Sequence, residues 1–280
     1  MTSLTIAIAG DLHGAWSSHD IAVLLANKPD AVFFVGDLGE ADIRQTKKIK
    51  QTPFPTAVIL GNHDRGYDRT GDFLQKQLHL LDDLHCGWKL LKWPGLPISV
   101  VGARPCSPGG GFYLSPEVQA VFGDISLEES ASKISSSAEA ASPDVPLVIL
   151  AHSGPTGLGS EAFSPCGRDW KKPPLDWGDK DLELAISKIR RIRTPDLVVF
   201  GHMHHQLMKA NQTRKTFVED VFGVRYLNAA CVPRSGLNKE GEFLSHFSWV
   251  VFNDNKLIHV SHRWFAKDTS ISYQENLFNQ

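Results

Sequence analysis

The sequence predicts an α/β fold, and three observations carry that expectation. Short apolar runs alternate with segments whose apolar residues recur at helical spacing. The early runs end in Gly, Asp, Asn or His. The last third then changes to longer runs joined by short polar connections. Alternating strand and helix implies parallel strands with helices on their faces. The late change implies an antiparallel meander.

The first strand is Leu4–Ala9, followed by Gly10-Asp11-Leu12-His13-Gly14. A helix from about Ser18 to Ala26 can be capped by Ser17 or Ser18. Ala31–Val35 is the second strand and ends in Gly36-Asp37-Leu38-Gly39; a polar helix from about Ala41 to Lys50 stops before Pro53. Ala57–Leu60 is the third strand and runs into Gly61-Asn62-His63-Asp64, where a glycine permits a sharp turn. A helix from about Thr70 to Leu81 leads to a fourth strand at Ser99–Gly102.

Residues 104–146 read as a cap-like insertion over one edge of the site. They combine a loop rich in Pro and Gly with a helix opened by the capping-box pattern Ser126-Leu127-Glu128-Glu129. Leu147–Leu150 is the fifth strand and ends in Ala151-His152-Ser153-Gly154-Pro155. A loop of about 156–178 follows, of a length that is usually functional or disordered. A helix capped by Asp179 or Asp181 then runs to about Arg193. Leu197–Phe200 is the sixth strand and ends in Gly201-His202-Met203-His204-His205. Phe217–Glu219, Val224–Asn228, His246–Phe252 and Leu257–Trp264 form the expected meander. One domain over 1–267 and a patternless tail at 268–280 complete the organisation.

Composition narrows the partners. The 29 Lys and Arg residues nearly balance 31 Asp and Glu, a net of −2, which argues against a general electrostatic footprint for nucleic acid. Cys86, Cys106, Cys166 and Cys231 are widely spaced, form no C-x-x-C pair, and read as thiols of a reducing, cytoplasmic setting. No basic segment precedes the first strand as in a signal peptide, and no apolar run has the length of a membrane span.

The strand ends bring together Asp11, His13, Asp37, Asn62, His152, His202 and His204. In a β/α arrangement the carboxyl ends of strands converge on one crevice. Two carboxylates, one amide oxygen and four imidazoles exceed one tetrahedral zinc site and suit two divalent ions sharing a carboxylate. Nitrogen and oxygen donors without thiolate favour manganese foremost, with iron, zinc, cobalt or nickel as alternatives. Two such ions about 3.5–4 Å apart form a clamp for in-line displacement at phosphorus. Taken alone, His152 would be a structural histidine, and Asp11 or Asp37 a helix cap. The shared position at strand ends changes both readings.

The ordered set D-x-H, G-D, G-N-H-D, a lone His and G-H-x-H, from Asp11 to His204, resembles the calcineurin-like metallophosphoesterase superfamily. A few cyanobacterial and plastid members are similar through Gly154-Pro155-Thr156-Gly157. The resemblance implies a four-layer α/β/β/α sandwich of two mixed sheets. It implies that Asp11, His13 and His204 hold one metal, that Asn62, His152 and His202 hold the second, and that Asp37 bridges them. His63 would contact the scissile phosphate or its leaving group, oriented by Asp64. The implied activity is hydrolysis of a small phosphomonoester or phosphodiester, nucleotide-like esters included, by a hydroxide bridging the two metals. Gly36-Asp37 continues as Leu38-Gly39-Glu40, unlike the acidic-Arg-Gly signature of the protein Ser/Thr phosphatases. Arg65, Arg104, Arg168 and Arg234 are candidate phosphate contacts, and Phe112, Tyr113 and Trp170 candidate stacking rings. His205 would point away from its neighbour, outside the ligand set. A nuclease or a non-catalytic interaction module on the same fold are the alternatives.

Overall fold

The computed structural model describes residues 3–280. Its strands are β1 (Ser3–Ala9), β2 (Ala31–Phe34), β3 (Thr56–Val58), β4 (Leu90–Trp93), β5 (Leu96–Gly102), β6 (Leu147–Leu150), β7 (Leu197–Phe200), β8 (Phe217–Glu219), β9 (Arg225–Asn228), β10 (Ser235–Leu237), β11 (Phe243–Asn253), β12 (Lys256–Phe265) and β13 (Ile271–Asn279). The helices are α1 (Ser18–Asn27), α2 (Ile43–Lys50), α3 (Asp72–Leu81), α4 (Pro116–Phe122), α5 (Leu127–Glu139) and α6 (Lys180–Ile189). A 3-10 turn, Asp82–Leu84, follows α3.

The strands form two mixed sheets. One has the order β13-β12-β11-β1-β2-β3, with β10 beside β11; the other has β4-β5-β6-β7-β9-β8. β2, β6 and β7 are continuous apolar runs because both of their faces are covered. Ile6, Ile8, Phe33 and Val250 of the first sheet face Val100, Val148, Leu150 and Val199 of the second. Val32, Phe34 and Val58 turn outward under Val23, Leu24, Ile49 and Leu74 of the first helices. Ile149, Val198 and Phe200 turn outward under Ile134, Leu182 and Ile186 of α5 and α6. The result is the four-layer α/β/β/α sandwich.

Three regions depart from the sequence expectation. The tail expected at 268–280 is β13, an edge strand paired with β12 from His259↔Asn279 to Phe265↔Ile271. Only part of Leu277 and Phe278 reaches the core, so the strand carries too few apolar residues to announce itself. The expected meander is divided. β9 runs parallel to β7 and antiparallel to β8 in one sheet, while β11 and β12 pair in the other. Residues 104–146 contribute to both helix layers. Val118 of α4 joins the helix layer of the first sheet, and Ala131, Ile134 and Ala138 of α5 cover the second. A thin apolar stripe suffices there because α5 needs one buried face only. The capping box of α5 is present: the Ser126 amide donates to Glu129 Oε2 at 2.8 Å, and the Glu129 amide to Ser126 Oγ at 3.2 Å.

Candidate metal centre

The turns after β1, β2, β3, β6 and β7 meet at one end of the sandwich. Asp11, His13, Asp37 and His202 all have left-handed backbone, with φ of 39°, 44°, 50° and 65°. Such conformations cost on the order of 1–3 kcal/mol each in non-glycine residues and persist where the surroundings enforce them. Glycine here supplies room. A Cβ on Gly61 would stand 2.2 Å from Asp37 Oδ1, and one on Gly201 2.1 Å from Asp11 Oδ1. The strand ends are therefore packed against the carboxylates that they surround.

Two donor groups result. In the first, Asp11, His13 and His204 each offer an atom within 4.8 Å of the others. His13 Nε2 lies 3.2 Å from His204 Nε2, and His204 Nε2 3.4 Å from Asp11 Oδ2. In the second, Asp37, His152 and His202 meet the same limit. His152 Nε2 lies 3.0 Å from Asn62 Oδ1 and 3.4 Å from Asp37 Oδ1, so the amide of Asn62 joins that group. Facing lone-pair atoms of this kind, with oxygen and nitrogen but no sulfur, fit a pair of divalent cations. Electrostatics agree. Burial alone would lower His152, but Asp37 beside it pushes it up to about 10. Despite burial, His152 and His63 hold Asp37 well below the usual carboxylate range. Burial and His152 push His202 down to about 4. A cluster that recruits a proton in this way is one in which a cation can replace that proton.

The backbone is tied to the same carboxylates. The His202 amide donates to Asp11 Oδ2 at 2.9 Å, and the His63 amide to Asp37 Oδ1 at 2.9 Å. His152 Nδ1 is fixed by the Val35 carbonyl at 2.6 Å. Asn228, at the end of β9, donates from Nδ2 to the Met203 carbonyl at 2.7 Å and so holds the turn between His202 and His204.

His63 is half-exposed at the mouth of the cluster, but its partner is not Asp64. Glu40 Oε2 lies 2.7 Å from His63 Nδ1, while Glu40 Oε1 lies 2.6 Å from His13 Nδ1. Asp64 instead turns beneath the loop, where its carboxylate accepts the amides of Leu38 at 2.7 Å and Gly61 at 2.8 Å. It fixes the ends of β2 and β3, and the orienting contact expected of it belongs to Glu40. No local pattern around Gly36-Asp37-Leu38-Gly39-Glu40 announces that contact.

A cavity of about 160 Å³ opens over the cluster, lined by Asp37, His63, Trp170, His202, His204 and Arg214 among others. Clefts of about 390 and 790 Å³ lie elsewhere, and neither gathers a metal-ligating group among the described residues. The four arginines proposed for phosphate are engaged in the fold. Arg104 is buried and clamps Asp179 at 2.7 Å and Asp181 at 3.0 Å. Arg234 is buried on Asp20 at 2.7 Å. Arg168 lies over the Trp177 ring, and Arg65 pairs with Glu117 at 3.3 Å. Phe112 lies under Arg104, whereas Trp170 stands at the cavity. The arginine beside the cluster is Arg214. Its Nε donates to the His204 carbonyl at 3.0 Å, and its Nη1 to the carbonyls of Ser164 and Gly167 at 2.7 and 2.6 Å. It thereby joins the long 156–178 loop to the G-H-x-H turn.

By sequence, none of the curated proteins matches the chain at a significant level. Solved structures share the fold at low identity. A dimetal phosphatase from Danio rerio superposes with a TM-score of 0.53 at 11% identity, covering 99% of each chain. The Thermus thermophilus protein TT1561 does so with 0.52 at 14%, covering 99% of this chain and 100% of its own. A purple acid phosphatase from yellow lupin seeds gives 0.50 at 13%, covering 98% of this chain and 53% of its own. The family model of the calcineurin-like phosphoesterases matches residues 4–206, from the first strand through the G-H-x-H turn. On that match the chain belongs to the calcineurin-like phosphoesterase family and is a metallophosphoesterase, a metal-dependent hydrolase of phosphoesters.

Proposed function

We propose that the chain hydrolyses a small phosphomonoester or phosphodiester, with a nucleotide-like ester as the substrate class. Asp11, His13 and His204 hold one metal, Asn62, His152 and His202 the other, and Asp37 lies between them. Manganese is the foremost metal for this donor set, with iron, zinc, cobalt or nickel as alternatives. A divalent pair supplies Lewis-acid polarisation of a phosphoryl oxygen and activation of water.

The observation that carries the reading is the meeting of both donor groups with His63 at one cavity. Glu40 accepts from His63 Nδ1, which fixes the ring and leaves Nε2 free to give a proton to the leaving oxygen. Glu40 also holds His13, so one carboxylate aligns a metal ligand and the acid. Asp64 supports the reading indirectly, by fixing the turns that carry Asp37 and Asn62. Trp170 offers a ring at the cavity against which a base can stack. The small cavity and the net charge of −2 favour a small ester over a nucleic-acid strand. The four buried free cysteines support a reducing, cytoplasmic compartment, and no helix among the described residues is long and apolar enough to cross a membrane.

The test is a hydrolysis panel with p-nitrophenyl phosphate, bis-p-nitrophenyl phosphate, cyclic nucleotides, dinucleotides and sugar phosphates. Manganese-dependent turnover that EDTA abolishes is expected, with the nucleotide-like esters preferred. No turnover of any ester with manganese, iron, zinc, cobalt or nickel would refute the reading.

A further inference from the structure

A second histidine cluster lies behind the first. Cys231 follows β9, and His246 and His262 stand on β11 and β12. In the β11–β12 pairing, Ser248 faces His262 and His246 faces Trp264, so the two histidines are diagonal neighbours. Their neighbours Phe247 and Phe265 belong to the outer core under α1, while Val250 and Val260 belong to the core between the sheets. By the alternation of strand side chains, His246 and His262 therefore face the interior between the sheets. There they meet the thiol arriving from the other sheet. The sulfur and one nitrogen of each ring lie within 4.8 Å of one another. Cys231 is 2% exposed, His246 0% and His262 1%.

Hydrogen bonding leaves this cluster unfinished. His246 Nε2 and Ser248 Oγ both approach His262 Nδ1, at 3.2 and 2.9 Å. Meanwhile His246 Nδ1 and His262 Nε2 are buried with no partner. An unmet buried polar atom gives up its hydration without return, so two in adjacent rings ask for an explanation. His205, whose amide donates to the Ala230 carbonyl beside Cys231 at 2.9 Å, also has a buried Nδ1 without a partner.

We propose that Cys231, His246 and His262 form a third metal site, a closed structural site for a zinc-type cation, with His205 as the fourth donor. Thiolate with imidazole is the donor set of structural zinc, unlike the oxygen-rich set of the hydrolytic pair. Zinc bonds of about 2.0–2.1 Å to nitrogen and 2.3 Å to sulfur put neighbouring donors roughly 3.3–3.6 Å apart. The 3.2 Å contact between the rings already has that scale, and the sulfur lies within 4.8 Å of a nitrogen of each ring. Burial keeps His262 neutral, pushing it down to about 3, and keeps His246 neutral as well, which is the form that ligates. Burial pushes the Cys231 thiol well above its ordinary range, so a bound cation is what would make it a thiolate. The cation would join the end of β9 to the β11–β12 hairpin and clamp the two sheets beside the metal-bearing turns.

Cobalt tests this directly, because only a thiolate ligand gives the near-ultraviolet sulfur-to-cobalt charge-transfer band. The hydrolytic pair has no sulfur, and among the described residues no other cysteine belongs to a metal-ligating group. Full-length protein expressed in cobalt-supplemented medium is expected to show the band with three metals per chain. Cys231→Ser should lose the band and one metal, and His262→Gln should weaken it. Asp37→Ala, which disables the hydrolytic pair, should keep it, so failure of the hydrolytic reading would show separately. Absence of the band from the wild-type protein at three or more equivalents of cobalt would overturn the proposal, whether or not the variants fold. So would a band that survives in Cys231→Ser.

Discussion

The rim of turns and the strand-borne interior use the same residue types in opposite ways. At the rim, His13, His63 and His204 stand on turns, partly exposed, and four of the candidate ligands have left-handed backbone. In the interior, His246 and His262 sit on regular strands, fully buried, with a thiol for company. Catalytic metal sites keep an open position and structural sites close theirs. Here the difference follows from which backbone carries the ligand. A turn can aim a side chain at solvent at the cost of strain, whereas a strand can only aim it at a neighbour. Variants of the rim should lose rate and keep the fold, and variants of the interior should do the reverse.

The largest expected effect is at the rim. His63→Ala should lower kcat by about 10²–10⁴-fold while both hydrolytic metals remain by elemental analysis. Loss of a metal together with the rate would make His63 a ligand and blur the division. Arg104→Met sharpens the interior side, since it leaves Asp179 and Asp181 buried and unpaired. It should cost about 3–5 kcal/mol in denaturant unfolding, with the rate per folded molecule unchanged. Glu40→Gln tests whether one carboxylate serves both His13 and His63. It should reduce kcat/KM by about 10–100-fold, and added manganese should restore part of the loss. The smallest effect is expected far from the chemistry. Phe278→Ala removes the ring of β13 that packs against Phe217, and should cost at most about 1.5–3 kcal/mol with the rate intact.

The rim was largely legible in the sequence, because its ligands follow apolar runs directly. Asp11, Asp37, Asn62, His152 and His202 stand within two residues of a run's end, and strand ends converge whatever the loops do. Glu40 was not legible as a partner of His63. Its reach depends on left-handed backbone at both Glu40 and Ala41, which no local pattern announces. The arginines were misleading for a chemical reason: a guanidinium fork fits a buried carboxylate as well as a phosphate. Arg104 and Arg234 each found an aspartate far away in sequence. Sheet membership was hidden too. The alternation in Val224–Asn228 shows a strand, but not that it pairs with β7 in place of β11.

The pairing of β1 also sets a timetable for the molecule. Ile8 of β1 pairs with Ser248 of β11, roughly 240 residues later, so the strand that leads into Asp11 has one open edge until the last fifth of the chain exists. At synthesis rates of about 5–20 residues per second, that edge waits roughly 12–48 s on the ribosome. The nascent half-sheet of β1, β2 and β3 meanwhile exposes a long apolar edge, the form most open to association with other chains. Yield in the cell should therefore depend on how well that interval is guarded, and early termination before β11 should leave a product that aggregates rather than a smaller enzyme.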